Sequence, residues 1–152
     1  MSILQAKNEA IIHAPASRIW AIITDINLLH KVNPGVIQAS GRMDRLGEVR
    51  TCQIVNNGRK GTMTEKLIEF IPEKKTVWTI ESDSMGMGQM LKNTQFVFNL
   101  EELEDNKTKV ISETYYQPAN IIAKIMNGLI MKKMILKAQE QILMNLKSLT
   151  EK

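Results

Sequence analysis

Few residues of this chain are of a type and spacing that can do chemistry, and those few are better placed to hold a molecule than to transform one. On the expected inward phase of the first and last strands lie Asn8, Ser112, Thr114 and Tyr116. Their amide and hydroxyl groups can anchor waters or orient the polar end of a ligand. His13 and His30 have no acid or nucleophile at a spacing that would make either one a general base. Together with the single cysteine, Cys52, they form no zinc pattern, and Cys52 itself reads as a small buried hydrophobe. Glu65 and Glu69 share a strand at a separation near 13 Å, taking roughly 3.3 Å per residue. Unless the strand is bulged, that is too far for a paired-carboxylate mechanism, so both are expected to be solvated edge charges. Trp20 reads as packing on a helical stripe, and Trp78 either as packing or as a ring on which a ligand stacks.

The elements that must position these groups follow from the hydrophobic pattern. Residues 3 to 13 alternate as a half-buried strand, with Leu4, Ala6, Ala10 and Ile12 on one face. Ala14-Pro15-Ala16-Ser17 opens a short helix carrying Ile19, Trp20, Ile22 and Ile23, and Asp25 can cap a second that Asn33-Pro34-Gly35 ends. After Gly35 the period returns to two, with turn signals at 41–47, 56–58, 72–74, 83–88 and 104–106. Six more strands are expected near 36–40, 48–55, 59–71, 75–82, 89–101 and 107–117, paired as an antiparallel meander because their connections are short. Pro118 starts a terminal helix that runs to about Leu149. One domain over residues 1–152 is expected, since no linker, repeat or low-complexity tract interrupts the layout.

The terminal helix changes its greasy side. On an ideal wheel of about 100° per residue, the apolar residues of its first half (Ile122, Ile125, Met126, Leu129) and second half (Ile135, Ala138, Ile142, Leu146, Leu149) centre on directions roughly 130° apart. The second half suits a conventional core. The first half, beyond a kink expected at Gly128, is read as facing an internal cavity between helix and curled sheet. A dry void of about 500 Å³ would cost roughly 12 kcal/mol, as much as a whole domain's stability. Such a space must be collapsed onto, wetted or filled by a ligand. The expected lining is Trp78, Ile80, Met90, Phe96, Phe98, Thr114, Tyr116, Ile122, Met126 and Leu129. Parity of the meander brings the turns at 56–58 and 83–88 to the end where Gln117-Pro118 leaves the sheet. Met85 and Met87 would therefore form an apolar lip at the mouth. Ten methionines in all offer side chains that adapt to variable contents.

Charge and composition narrow the partners. The net charge is +4, and the terminal helix alone accounts for it, with Lys124, Lys132, Lys133, Lys137 and Lys147 against Glu140. These lysines read as a solvated face, with peripheral contact to an anionic membrane as the alternative. Aromatic residues are only 5% of the chain and form no stacking platform, which argues against nucleic acid as a partner. The amino-terminal residues lack the apolar block of a secretory signal, no apolar run approaches a membrane span, and a cytoplasmic protein without cofactor or metal is expected.

The segments Ile12-His13-Ala14-Pro15-Ala16-Ser17-Arg18-Ile19-Trp20, Thr24-Asp25, Asn33-Pro34-Gly35-Val36 and Glu69-Phe70-Ile71-Pro72, with the long terminal helix, run through the whole chain in order. In these the chain resembles the START-related superfamily, which includes pollen-allergen-like proteins and the polyketide cyclase/dehydrase and lipid transport proteins. At Gly41 to Gly47 only the end glycines of the plant allergens' glycine-rich loop are present. The resemblance implies an α+β helix-grip fold: a curved seven-strand antiparallel sheet around a long carboxy-terminal helix, with two short helices between strands 1 and 2. It also implies binding or transport of a hydrophobic small molecule or lipid. The alternatives are a cyclase/dehydratase-like enzyme and a membrane-docking assembly factor. Binding is preferred because no oriented acid, base or nucleophile is declared.

Overall fold

A computed structural model describes residues 2–152. Seven strands form one antiparallel sheet in the order β1-β7-β6-β5-β4-β3-β2. They are β1 (Ile3–Ile12), β2 (Val36–Gly41), β3 (Val49–Asn56), β4 (Arg59–Ile71), β5 (Lys75–Asp83), β6 (Leu91–Leu103) and β7 (Lys107–Pro118). β2 to β7 are the expected meander. β1 lies at the far edge against β7, so the helical segment after β1 carries the chain across to the other edge. Within that segment α1 (Ala16–Ile23) begins directly after Pro15. The Asp25 carboxylate accepts from the backbone N–H of Asn27 at 2.9 Å and caps a 3₁₀ turn (Ile26–Leu28) that runs into α2 (Leu29–Val32). The sheet curves around the terminal helix, which is the helix-grip arrangement.

The core lies in two parts. Ile12, Ile19, Leu100, Val110, Leu143 and Leu146 are buried where the last turns of the helix meet β1, β6, β7 and α1. Leu67 on β4, Trp78 on β5 and Met43 from the β2–β3 connection form a second cluster, flanked by Phe70 and Phe96. The tilted rings of Trp20 and Phe70, 5.3 Å apart, connect α1 to that side. Trp20 is thus a packing residue, as expected.

The long helix is interrupted as its two apolar faces require, but by a different device. α4 (Ile121–Met126) and α5 (Lys132–Thr150) are joined by a π turn over Asn127–Met131. A π turn widens the helix by one residue and resets the phase of whatever follows. Ala123 and Asn127, one turn apart, face the sheet and are buried. The Asn127 side-chain oxygen accepts the Tyr116 hydroxyl, its amide donates to Gln5 Oε1 at 3.2 Å, and the Gln5 amide donates to the Tyr116 carbonyl at 3.1 Å.

This overturns one expectation. The apolar face of the first half does not turn inward: Ile122 is 73% exposed and Leu129 65% exposed, with Ile121 and Ile125 beside them. A wheel weighted by hydropathy aims isoleucines at the interior. A buried amide with two partners holds the opposite face there, and leaving those groups unpaired would cost about 1 to 3 kcal/mol for each. Nor does Gly128 serve a close approach, since a side chain at that position would meet nothing within 4 Å.

Two substitutions separate these causes in denaturant melts. Asn127→Ala is expected to lower stability by about 1 to 3 kcal/mol, through the Tyr116 hydroxyl and the Gln5 Oε1 acceptor it leaves unpaired. Gly128→Ala is expected to raise it by up to about 1 kcal/mol, which would be impossible if the glycine itself imposed the turn.

Candidate ligand-binding cleft

The concave face of the sheet carries a buried ion pair, one member of which, Glu65, was expected to be a solvated edge charge. Arg50 on β3 and Glu65 on β4 are register partners, and Arg50 Nε donates to Glu65 Oε1 at 2.9 Å with the two side chains 11% and 6% exposed. The guanidinium lies 3.9 Å above the centre of the Trp78 ring and 3.7 Å from the Met43 sulfur. Glu65 is therefore no edge charge. A bulge between Leu67 and Glu69 inserts Ile68, so two carboxylates that strict alternation would put on one face stand on opposite faces. Glu69 is the solvated one, pairing with Lys75 at 3.3 Å.

The sequence held a signal for the pair: Glu65 sits between Met63 and Leu67 in an inward alternation, across from Arg50 and Cys52 in another. Cys52 is buried, with its sulfur 3.8 Å from Glu65 Oε1. Burial first, and Glu65 second, push its thiol up to about 11 against the pull of Arg50. That is the wrong direction for a nucleophile.

Beyond the ion pair the sheet comes apart. β5 and β6 pair only from Lys75↔Asn99 to Thr79↔Gln95, although both strands continue. Past that point β5 stays with β4 as far as Met63↔Asp83, and β6 stays with β7 as far as Leu91↔Pro118. A shift of register between Lys92 and Gln95, with Asn93 at φ 55°, bends β6 away. The resulting cleft has a volume of about 440 Å³, within the size range of small-molecule sites; Ile80 and Leu91 are its large apolar residues, and the rest of its lining is mostly polar, with Glu81, Asp83, Lys92 and Thr94 among it. Ile80 is the register partner of Glu65, so the cleft wall adjoins the ion pair.

Thr94 is 4% exposed, and its hydroxyl has no hydrogen-bond partner, the one such buried side-chain atom among the described residues. Its backbone carbonyl takes the Thr79 hydroxyl at 3.0 Å.

The expected lining residues divide accordingly. Ile80 lines the cleft. Trp78 and Phe96 are register partners in the second core cluster, and Phe98 packs against the first. Ile80, Phe96 and Phe98 remain partly accessible in the middle of a concave face, so the helix leaves part of that face uncovered. Thr114 is buried and accepts from the Gln139 amide at 2.9 Å. Tyr116 is fully buried, with its hydroxyl donated to Asn127. Met90 and Met126 are half-buried, whereas Ile122 and Leu129 stand outside.

At the mouth, the Asp83 carboxylate accepts from the backbone N–H groups of Met85 at 2.8 Å and Gly88 at 2.9 Å. The lip is thus a pinned turn. Met85 packs over Gly61, and Met87 begins the short α3 (Met87–Met90). The N–H of Ala119 donates to the Met90 carbonyl at 2.8 Å, which ties this turn to the exit from β7.

Similarity to known proteins agrees with this architecture. The family model described as polyketide cyclase / dehydrase and lipid transport matches residues 4–151. The chain belongs to that family. Among solved structures it is similar to the Zhui aromatase/cyclase from Streptomyces sp. R1128, with a TM-score of 0.80 at 11% identity over 99% of this chain and 94% of that one. It is also similar to a START superfamily protein from Mycobacterium smegmatis, with a TM-score of 0.75 at 13% identity over 96% of each chain. A protein from Thermus thermophilus gives 0.73 at 17% identity over 94% of each. At these identities the likeness is one of fold. No curated protein matches the chain significantly.

Removing one member of the buried pair leaves the other charge uncompensated. Glu65→Ala is expected to lose about 3 to 5 kcal/mol in urea melts, and Arg50→Met with Glu65→Met to regain most of it. The raised Cys52 thiol favours the fold while it stays protonated, so that contribution is complete below the ordinary value of 9.0 and is lost as pH climbs towards about 11. Ellman's reagent near neutral pH should find no reactive thiol in the native protein and one after denaturation.

Proposed function

We propose that the protein binds a hydrophobic small molecule or lipid with a polar end, seated against the uncovered concave face and reaching into the cleft between β5 and β6. The observation that carries this reading is the unpartnered Thr94 hydroxyl, buried at the wall of a space large enough for a ligand. A buried hydroxyl without a partner destabilises a fold, and a turn of the Thr94 side chain toward the cleft would let a ligand oxygen or an ordered water relieve it. The partly accessible Ile80 and Phe96 supply apolar surface beside it. Membership of a family that includes lipid transport supports the same reading. Carriage is favoured over catalysis because Arg50 and Glu65 satisfy each other and the Cys52 thiol is held protonated.

Native mass spectrometry of the purified protein and titration with fluorescent fatty acids and flat aromatic probes test this. Thr94→Val is expected to leave stability unchanged or slightly higher while weakening binding about 2- to 10-fold, the worth of one hydrogen bond. Ile80→Trp, which fills the cleft, is expected to abolish binding. Absence of any adduct together with no binding of either probe class would overturn the proposal.

A further inference from the structure

We propose that α4 and the π turn after it form a docking surface for an anionic membrane, a role that does not depend on the cleft holding a ligand. Ile121 is 77% exposed, Ile122 73%, Ile125 57% and Leu129 65%. Four large aliphatic side chains within nine consecutive residues thus stand in water on one short helical segment. Isolated exposed apolar residues are ordinary, but a contiguous cluster marks a surface that something covers.

The charges around the cluster identify what covers it. Lys124, Lys132, Lys133 and Lys137 are all exposed, and no acidic residue occurs between Glu113 and Glu140. A second copy docked through this face about a two-fold axis would set these lysines against their own counterparts, with no carboxylate in the segment to answer them. An anionic bilayer answers both features at once. The aliphatic side chains enter the acyl boundary, and the lysines meet the headgroups.

Neighbouring elements extend the same surface. The Ala119 bond to Met90 brings the start of α4 to the β5–β6 turn, and the Thr62 carbonyl accepts from Ser84 N–H at 2.9 Å, bringing in the β3–β4 hairpin with exposed Arg59 and Lys60. No helix among the described residues is long and apolar enough to cross a membrane, so contact would be peripheral.

Co-sedimentation with vesicles of phosphatidylcholine, with and without phosphatidylglycerol, tests the proposal. Binding is expected to the anionic vesicles at low salt, little to the neutral ones, and much less as salt rises to about 0.5 M. Ile122→Ser with Ile125→Ser is expected to weaken binding about tenfold or more with an unchanged thermal melt, because both side chains are already exposed. Three results would each overturn it. The first is no binding to anionic vesicles at low salt, and the second is binding that the double serine variant leaves intact. The third is a dimer in analytical ultracentrifugation that the same variant dissolves, which would make a second copy the occupant. Loss of fatty-acid binding in the Ile80→Trp protein with vesicle binding retained would show that the two surfaces act separately.

Discussion

The roll of the terminal helix depends on one small polar network, in which Asn127 receives the Tyr116 hydroxyl and donates to Gln5. All three residues come from different elements, and the network is closed by Gln5 donating back to the Tyr116 carbonyl. Away from water such groups are strongly held when fully paired and costly when not. Their pairing fixes which side of α4 faces β1 and β7. From there the π turn delivers α5 in a different phase, with Gln139 bonded to Thr114 and to the Ala6 carbonyl, and with Leu143 and Leu146 in the core. Two hydrogen-bonded contact points along one helix thus set two different inward faces, and the exposed aliphatic stripe of α4 is the remainder.

The sheet follows a comparable logic of local irregularity. Strands of regular pairing would bring every inward residue of β5 and β6 into lateral contact and leave no opening. Bulges in β4 and β6 prevent that. The first turns Glu65 inward against Arg50 while Glu69 stays outside, and the second peels β6 from β5 beyond Thr79. Bulges re-aim side chains and end pairing at chosen places. Here both effects fall beside the same few residues: Glu65, Ile80 and Thr94. The ion pair brings no obvious gain over apolar packing. It does keep the part of the concave face next to Ile80 polar.

Much of the architecture was legible from the residues because it rests on periodicity and punctuation. The strand from Arg59 to Ile71 and the capping carboxylate of Asp25 are examples, each decided by side chains within a few positions of one another. The helix phase change was legible as well, since it is a property of spacing alone. Its direction was not. Hydropathy has no means of knowing that Asn127 will meet Tyr116 and Gln5, residues 11 and 122 positions away. Glu65 was misread for a related reason: strict alternation places it with Glu69, and a bulge becomes visible only when β4 and β5 are paired. Thr94 shares the phase of Phe96 and Phe98, yet nothing in its neighbours announces that its hydroxyl lacks a partner.

The cost of empty space explains why the cavity takes the form it does. Around Tyr116 the interior is filled, the ring fully buried and its hydroxyl engaged, so the region that a wheel of isoleucines would leave vacant has been closed by polar contacts. Further along, where β5 and β6 separate, the space is kept but opened to solvent. An open cleft avoids the penalty of a dry void, which at about 24 cal/mol per Å³ grows with every unfilled volume element. Water in such a cleft is exchangeable, and displacing it from the face of Ile80 releases apolar surface from hydration. Opening the site at the end where α4 leaves the sheet thus does two things at once. It lets the fold tolerate an unfilled state, and it places the opening beside the exposed apolar and basic side chains of α4.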